Sequence, residues 1–257
     1  MTPTTTTRRT TPVRAQKEMI SVSQTTLNKY ARVGLWALPI YGLANLVGTL
    51  SSQPDYHKLA LFPAYARYIS TSGFLASHLV ASMLGTGIGL LGFTSLLIYL
   101  ATSDRSPGIP VAAYVTTLLG SIAMVAMFGV AAFAQPAIGK AFLAGHHDAI
   151  ALNSSVYGTP LNVTGAVGTV LFFAGTVLFA IAIARSRSLP RNAGIVLAAS
   201  FPIFAIGSVT GITALTALGA LGEVTSGIWI ARSASPTRAD ARVLRDHEPP
   251  VLAVLDA

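Results

Sequence analysis

The chain has 257 residues, 52% of them apolar and only 10% charged, with a mean hydropathy of +0.62 and a formal net charge of +8. A water-soluble domain carries about 25% charged residues, so this composition argues against an ordinary soluble globule and for a helical bundle in lipid. Cysteine is absent, which excludes disulfides, thiolate metal ligands and cysteine nucleophiles.

Residues 1–30 begin as a Thr-rich, Arg-containing, low-complexity stretch and end in a weakly amphipathic segment, so a disordered or amphipathic tail is expected. The first apolar span is expected at 31–50, kinked near Pro39 and carrying Asn45 as a polar group inside an apolar helix. Residues 51–72 read as a polar loop with Asp55, His57 and Lys58. The second span is 74–101, long enough to tilt or protrude at about 1.5 Å per residue against a ~30 Å apolar core. One face of it runs His78, Ser82, Gly85, Gly89, Gly92, Leu96, Tyr99, a seam of small residues that lets a neighbouring backbone approach.

A third span is expected at 109–134, then a second long loop over 135–160 with His146, His147 and Asp148, then a fourth span at 161–184. Residues 185–191 form a short basic turn. From 193 to 231 the chain carries a single formal charge, Glu223, over a length that suits two helices, 193–209 and 212–231, with the break at Thr210 and Gly211 and a kink at Pro202. Residues 233–257 read as a second disordered tail. The fold class is therefore an all-α, polytopic bundle of six transmembrane helices in one domain (31–232). Of the 17 Lys and Arg residues, all but Lys58, Arg67 and Lys140 fall on one side of that topology. The bias predicts cytoplasmic termini and a plasma-membrane location. Basic residues gathered at helix ends point to the lipid bilayer as partner, with no nucleic acid.

An offset of 83 residues overlays the second span on the fourth: Gly85 and Thr86 meet Gly168 and Thr169, and Gly92 meets Gly175. At an offset of 130 the sixth joins, with Gly89 and Gly92 meeting Gly219 and Gly222. This pattern suggests three hairpins, each with a glycine-seamed descending helix, although glycine is common in membrane spans. Such faces also offer surfaces for homo- or hetero-oligomers.

Two sets of residues could carry function. Glu223 is the one carboxyl deep in a span, where a charge costs ~2.5–3.5 kcal/mol on insertion scales and by default marks a site or a buried pair. Helical rise places Tyr41 and Thr117 at similar depth as its expected partners, and His78 too far along the axis to touch it. The second set is His57, His78, His146, His147 and Asp148, an imidazole and carboxylate set that suits a transition metal if the outer loops bring it together; plain solvated loop residues would read the same. No HExxH, GxSxG or P-loop pattern is present, and no cofactor is indicated. The leading expectation is a small transporter-like or accessory membrane subunit built around Glu223. Alternatives are a membrane enzyme with an outer His/Asp site for a lipid-soluble substrate, and a scaffold that binds partner helices through its glycine seams.

Overall fold

The computed structural model describes residues 26–49, 54, 58–103 and 108–235. The predicted disordered tails fall outside these residues, except that 26–30 and 233–234 are helical. Among the described residues the protein is entirely helical, without a strand.

Helix α1 covers 26–34 and α2 covers Ala37–Gly48, with a two-residue turn between them. The interruption has a local cause at Pro39. Its ring nitrogen has no hydrogen to give the Leu35 carbonyl four residues back, and that carbonyl instead accepts from the Leu38 amide at 3.1 Å. The Trp36 amide likewise bonds three residues back, to Val33 at 3.2 Å. The second helical segment is composite. It starts as α4 (Ser72–Ser77), passes through a π-helical stretch over His78–Leu84, and continues as α5 (Gly85–Ser103). Ser77 Oγ (2.8 Å) and His78 Nδ1 (3.0 Å) both bond the Phe74 carbonyl, competing with the backbone ladder where it slips to the wider register.

Next come α6 (Gly108–Leu143), α7 (Ala149–Val156), α8 (Thr159–Ser186), α9 (Arg191–Thr210) and α10 (Thr213–Ala234). Five helices are long and apolar enough to cross a membrane: 72–102, 108–143, 149–186, 191–210 and 213–234. The break between α9 and α10 falls at Gly211, whose φ of 71° is the left-handed conformation that closes a helix.

The described parts of the two long loops expected from sequence are largely helical. Residues 59–69 form a 3₁₀ turn and α3 (Phe62–Ile69), and α6 runs through Pro136 to Leu143 before α7 begins. Tertiary packing overrides the loop signal. A Cβ at Gly139 would lie 2.8 Å from the Ala66 carbonyl, so the bare glycine lets α3 lie directly on α6. Phe62, Tyr65, Ala66, Ile69, Phe74, Ile138 and Ala149 then close a second small core. This helical cap sits on α4 and α6 at one end of the molecule.

The long helices form a ring in chain order, α2, α5, α6, α8, α9, α10, with α10 returning onto α2. Glycines set the antiparallel registers. Gly85, Gly89 and Gly92 of α5 face Ala44, Tyr41 and Leu38 of α2; Gly168 of α8 faces Ala123 and Gly120 of α6, and Gly175 faces Thr117; Gly219 and Gly222 of α10 face Phe204 and Ser200 of α9. Each expected seam therefore packs within its own hairpin. The ring interior is filled by one apolar core that includes Leu38, Tyr41, Phe93, Phe172, Phe179, Leu197, Phe201 and Ile230.

Candidate functional site

Helices α2 and α10, the first and last of the ring, cross almost backbone to backbone. A Cβ on Gly42 would stand 2.6 Å from the Val224 amide nitrogen and 3.0 Å from the Glu223 carbonyl carbon; on Gly227 it would stand 2.6 Å from the Pro39 nitrogen. Neither glycine stands out in the sequence, because this seam joins helices far apart in the chain. The approach carries Glu223 into the α2 face, where it is only 2% exposed.

There Asn45 Nδ2 donates to Glu223 Oε2 at 2.6 Å. The other carboxyl oxygen, Oε1, is buried and has no hydrogen-bond partner. An unmet polar atom costs about 1–3 kcal/mol, more for a charged group, so this oxygen calls for an explanation. One turn back on α2, Tyr41 neighbours both the Asn45 amide and the Glu223 carboxyl. The other face of its ring belongs to the core, stacked on Phe201 at 5.9 Å. The serines nearby are occupied by their own helices: Ser226 Oγ donates to the Glu223 carbonyl at 3.0 Å and Ser200 Oγ to the Val196 carbonyl at 2.6 Å.

Of the residues read from the sequence around Glu223, the structure brings together Glu223, Asn45 and Tyr41. Asn45 was expected only as a buried polar group; its pairing depends on the α2–α10 crossing. Thr117 is placed elsewhere. Its hydroxyl bonds the Ala113 carbonyl at 2.8 Å and faces Gly175 on the α6–α8 seam. Equal depth along the axis did not make it a neighbour, because α6 lies opposite α10, with two helices between them around either arc of the ring.

A column of aromatic rings lies on one side of this site. From Tyr41 it passes to Phe201, to Phe172 at 4.8 Å, and through Phe93 to Phe179 at 5.4 Å. Since Gly89 faces Tyr41 and Gly92 faces Leu38, Phe93 lies nearer the end bearing the 187–190 turn. On the other side, α2 stops at Gly48, three residues beyond Asn45. Leu38, Tyr41 and Gly42 are buried, but Asn45, next along the same stripe, is half-buried.

Among the described residues the histidines do not form a comparable site. His78 Nδ1 donates to the Phe74 carbonyl of its own helix and its ring lies 4.1 Å from that of Phe74. His146, His147 and Asp148 are exposed in the turn between α6 and α7, with the His147 ring edge-on to Phe142 at 5.5 Å. That turn exists because Gly145 (φ 95°) ends α6 and directs the chain into α7. Among the described residues no three His, Asp or Glu side chains gather as a metal-binding group; His57 lies outside them.

The cap holds a second buried polar group that sequence reading missed. Gln135 Nε2 donates to the Tyr65 hydroxyl at 2.7 Å, and that hydroxyl donates to Asn153 Oδ1 at 3.5 Å. All three side chains are buried. Their residues sit in the two stretches read as loops, so nothing in the local pattern signalled a core.

The fold and its polar crossing define an all-helical bundle with five helices of membrane-spanning length and one buried carboxyl at the closure of its ring. No family model matches the chain, and no curated protein or solved structure is significantly similar to it.

Proposed function

We propose that the chain is an integral membrane protein of six spans with both termini cytoplasmic, resident in the plasma membrane, and that it works as a small transporter-like subunit around Glu223. The sixth span in this reading is 26–48, which is helical apart from the turn at 35–36 and would extend about 34 Å at helical rise. The observation that carries the functional part is the buried Glu223 carboxyl with one oxygen bonded to Asn45 and the other unmet. In lipid such a group is costly and rare, and it belongs by default to an ion or substrate path.

The aromatic column from Tyr41 to Phe179 closes the ring between this carboxyl and the cytoplasmic end, and serves in this reading as the closed inner gate. The alternatives have weaker support. An outer metal enzyme needs histidines that converge, and a scaffold needs glycine faces turned outward, whereas Gly85, Gly89 and Gly92 are covered by α2.

The test is flux. Reconstituted protein should carry protons or monovalent cations into liposomes under a membrane potential, and Glu223→Gln should abolish that flux while the helical content is kept. Flux no greater than in empty liposomes, or unchanged by Glu223→Gln, would reject the reading.

A further inference from the structure

We propose that the Glu223–Asn45 pair is a single exchangeable proton site that opens to the capped end of the ring, with the Asn45 amide as the group that serves both protonation states. The inference deepens the transport reading by naming what the carboxyl holds, and it rests on that reading only for the use made of the proton.

Three features lead to it. The first is the unmet Oε1, buried and aimed away from the one hydrogen bond the carboxyl makes. The second is the scarcity of other oxygens. Hard cations bind through about six oxygen ligands, and the side chains packed around Glu223 provide a Tyr41 hydroxyl and serines already bonded to helix carbonyls. A proton needs no such cage. The third is the identity of the partner. Asn45 donates through Nδ2 to a carboxylate, and after a half-turn of the amide its Oδ1 accepts the hydrogen of the neutral acid. A lysine or arginine could serve only the anion.

Among the described residues, Tyr41 is the titratable side chain that faces the carboxyl from the helices packed on it. On α2 the facing group is Tyr41; α9 carries only Arg191, at its first residue, and presents Ser200 and Phe201 here; α10 itself carries only Arg232, nine residues on. The direction of exchange follows from packing. Tyr41, Phe201 and Phe172 pack at the level of the carboxyl, and Phe93 and Phe179 continue the core toward the 187–190 turn. In the other direction α2 ends three residues past Asn45, which is only half-buried, and among the described residues the cap packs on α4 and α6. On acidification a proton from the capped end binds the carboxyl and the Asn45 amide turns so that Oδ1 accepts its hydrogen; on return to alkaline buffer the proton leaves by the same route and Nδ2 again donates to the carboxylate.

Infrared spectroscopy of the full-length protein in sealed vesicles tests this. The wild type should show a protonated-carboxyl carbonyl band that grows on acidification, exchanges in D₂O and is missing in Glu223→Gln. Asn45→Leu should shift the midpoint of that band's pH titration. With a pH step on one face only, the band should follow the buffer on the capped side. A band constant at every pH, a band that follows the opposite face, or no Glu223-dependent band overturns the proposal. A titrating band in a protein that carries no flux upholds the site and rejects transport, whereas flux without a titrating band does the reverse.

Discussion

At the scale of single residues the protein hinges on an asymmetric carboxyl. Glu223 has one oxygen bonded and one bare, so removing Asn45 leaves a buried group with nothing. We expect Asn45→Leu to lower stability by about 1–3 kcal/mol. Asn45→Leu combined with Glu223→Leu should recover much of that loss, since replacing both partners by apolar groups of similar size is nearly neutral. Thermal unfolding of the four members of the cycle in detergent checks this; additive losses would mean that the 2.6 Å contact carries no coupling. A second test lies in the cap. Tyr65→Phe takes the acceptor from Gln135 and the donor from Asn153, all in a buried cluster. The expected cost is again about 1–3 kcal/mol, read as a lower unfolding temperature, while Glu223-dependent flux is unaffected.

At the scale of helices, glycines decide which surfaces meet, and they are not equivalent. Gly42 touches the backbone of α10, which has no side chain to move aside; Gly87, on α5, has nothing within 4 Å of the Cβ it lacks. Gly42→Ala should therefore destabilise by about 1–3 kcal/mol through overpacking. Gly87→Ala should stabilise by roughly 0.5–1 kcal/mol through the helix backbone alone. Opposite shifts in unfolding temperature are the expected result; equal shifts would argue against the α2–α10 crossing. The turn at Leu35 and Trp36 has an equally local origin in Pro39, and amide exchange there should slow in Pro39→Ala, where a backbone donor to Leu35 is restored.

For the whole molecule, the ring closes because α10 is narrow on two sides. Its glycines at 219 and 222 receive α9, and Gly227 and the backbone at Glu223 receive α2. Trp36 and Trp229 are exposed, whereas Tyr99 is buried and Tyr114 accepts a hydrogen bond from Thr94 at 3.1 Å. The proposed orientation has a direct test in this cysteine-free chain. A membrane-impermeant maleimide should label Ala144→Cys, in the turn beside the cap, in intact cells. Ser188→Cys, in the basic turn, should react only after permeabilisation. The reverse pattern would invert the topology.

Composition and periodicity by themselves determined the helical class, the placement of the α4–α5 segment, α8, α9 and α10 to within a few residues, the break at Gly211 and the fact that Glu223 is exceptional, whereas α6 runs nine residues past its expected end and the first expected span is broken at 35–36. Those properties are local: an apolar run, a proline or a left-handed glycine acts on the few residues around it. The expectation of hairpins seamed by Gly85, Gly89, Gly92, Gly168, Gly175, Gly219 and Gly222 was also legible, because each seam joins helices adjacent in sequence. Tertiary structure alone decided the rest. It made Asn45 the partner of Glu223 across 178 residues of chain and moved Thr117 to another seam. It also packed residues 59–69 and 149–156 into a cap and, among the described residues, gathered no histidine centre. Each of these depends on which helix faces which around a closed ring, and depth along an axis carries no information about that angle.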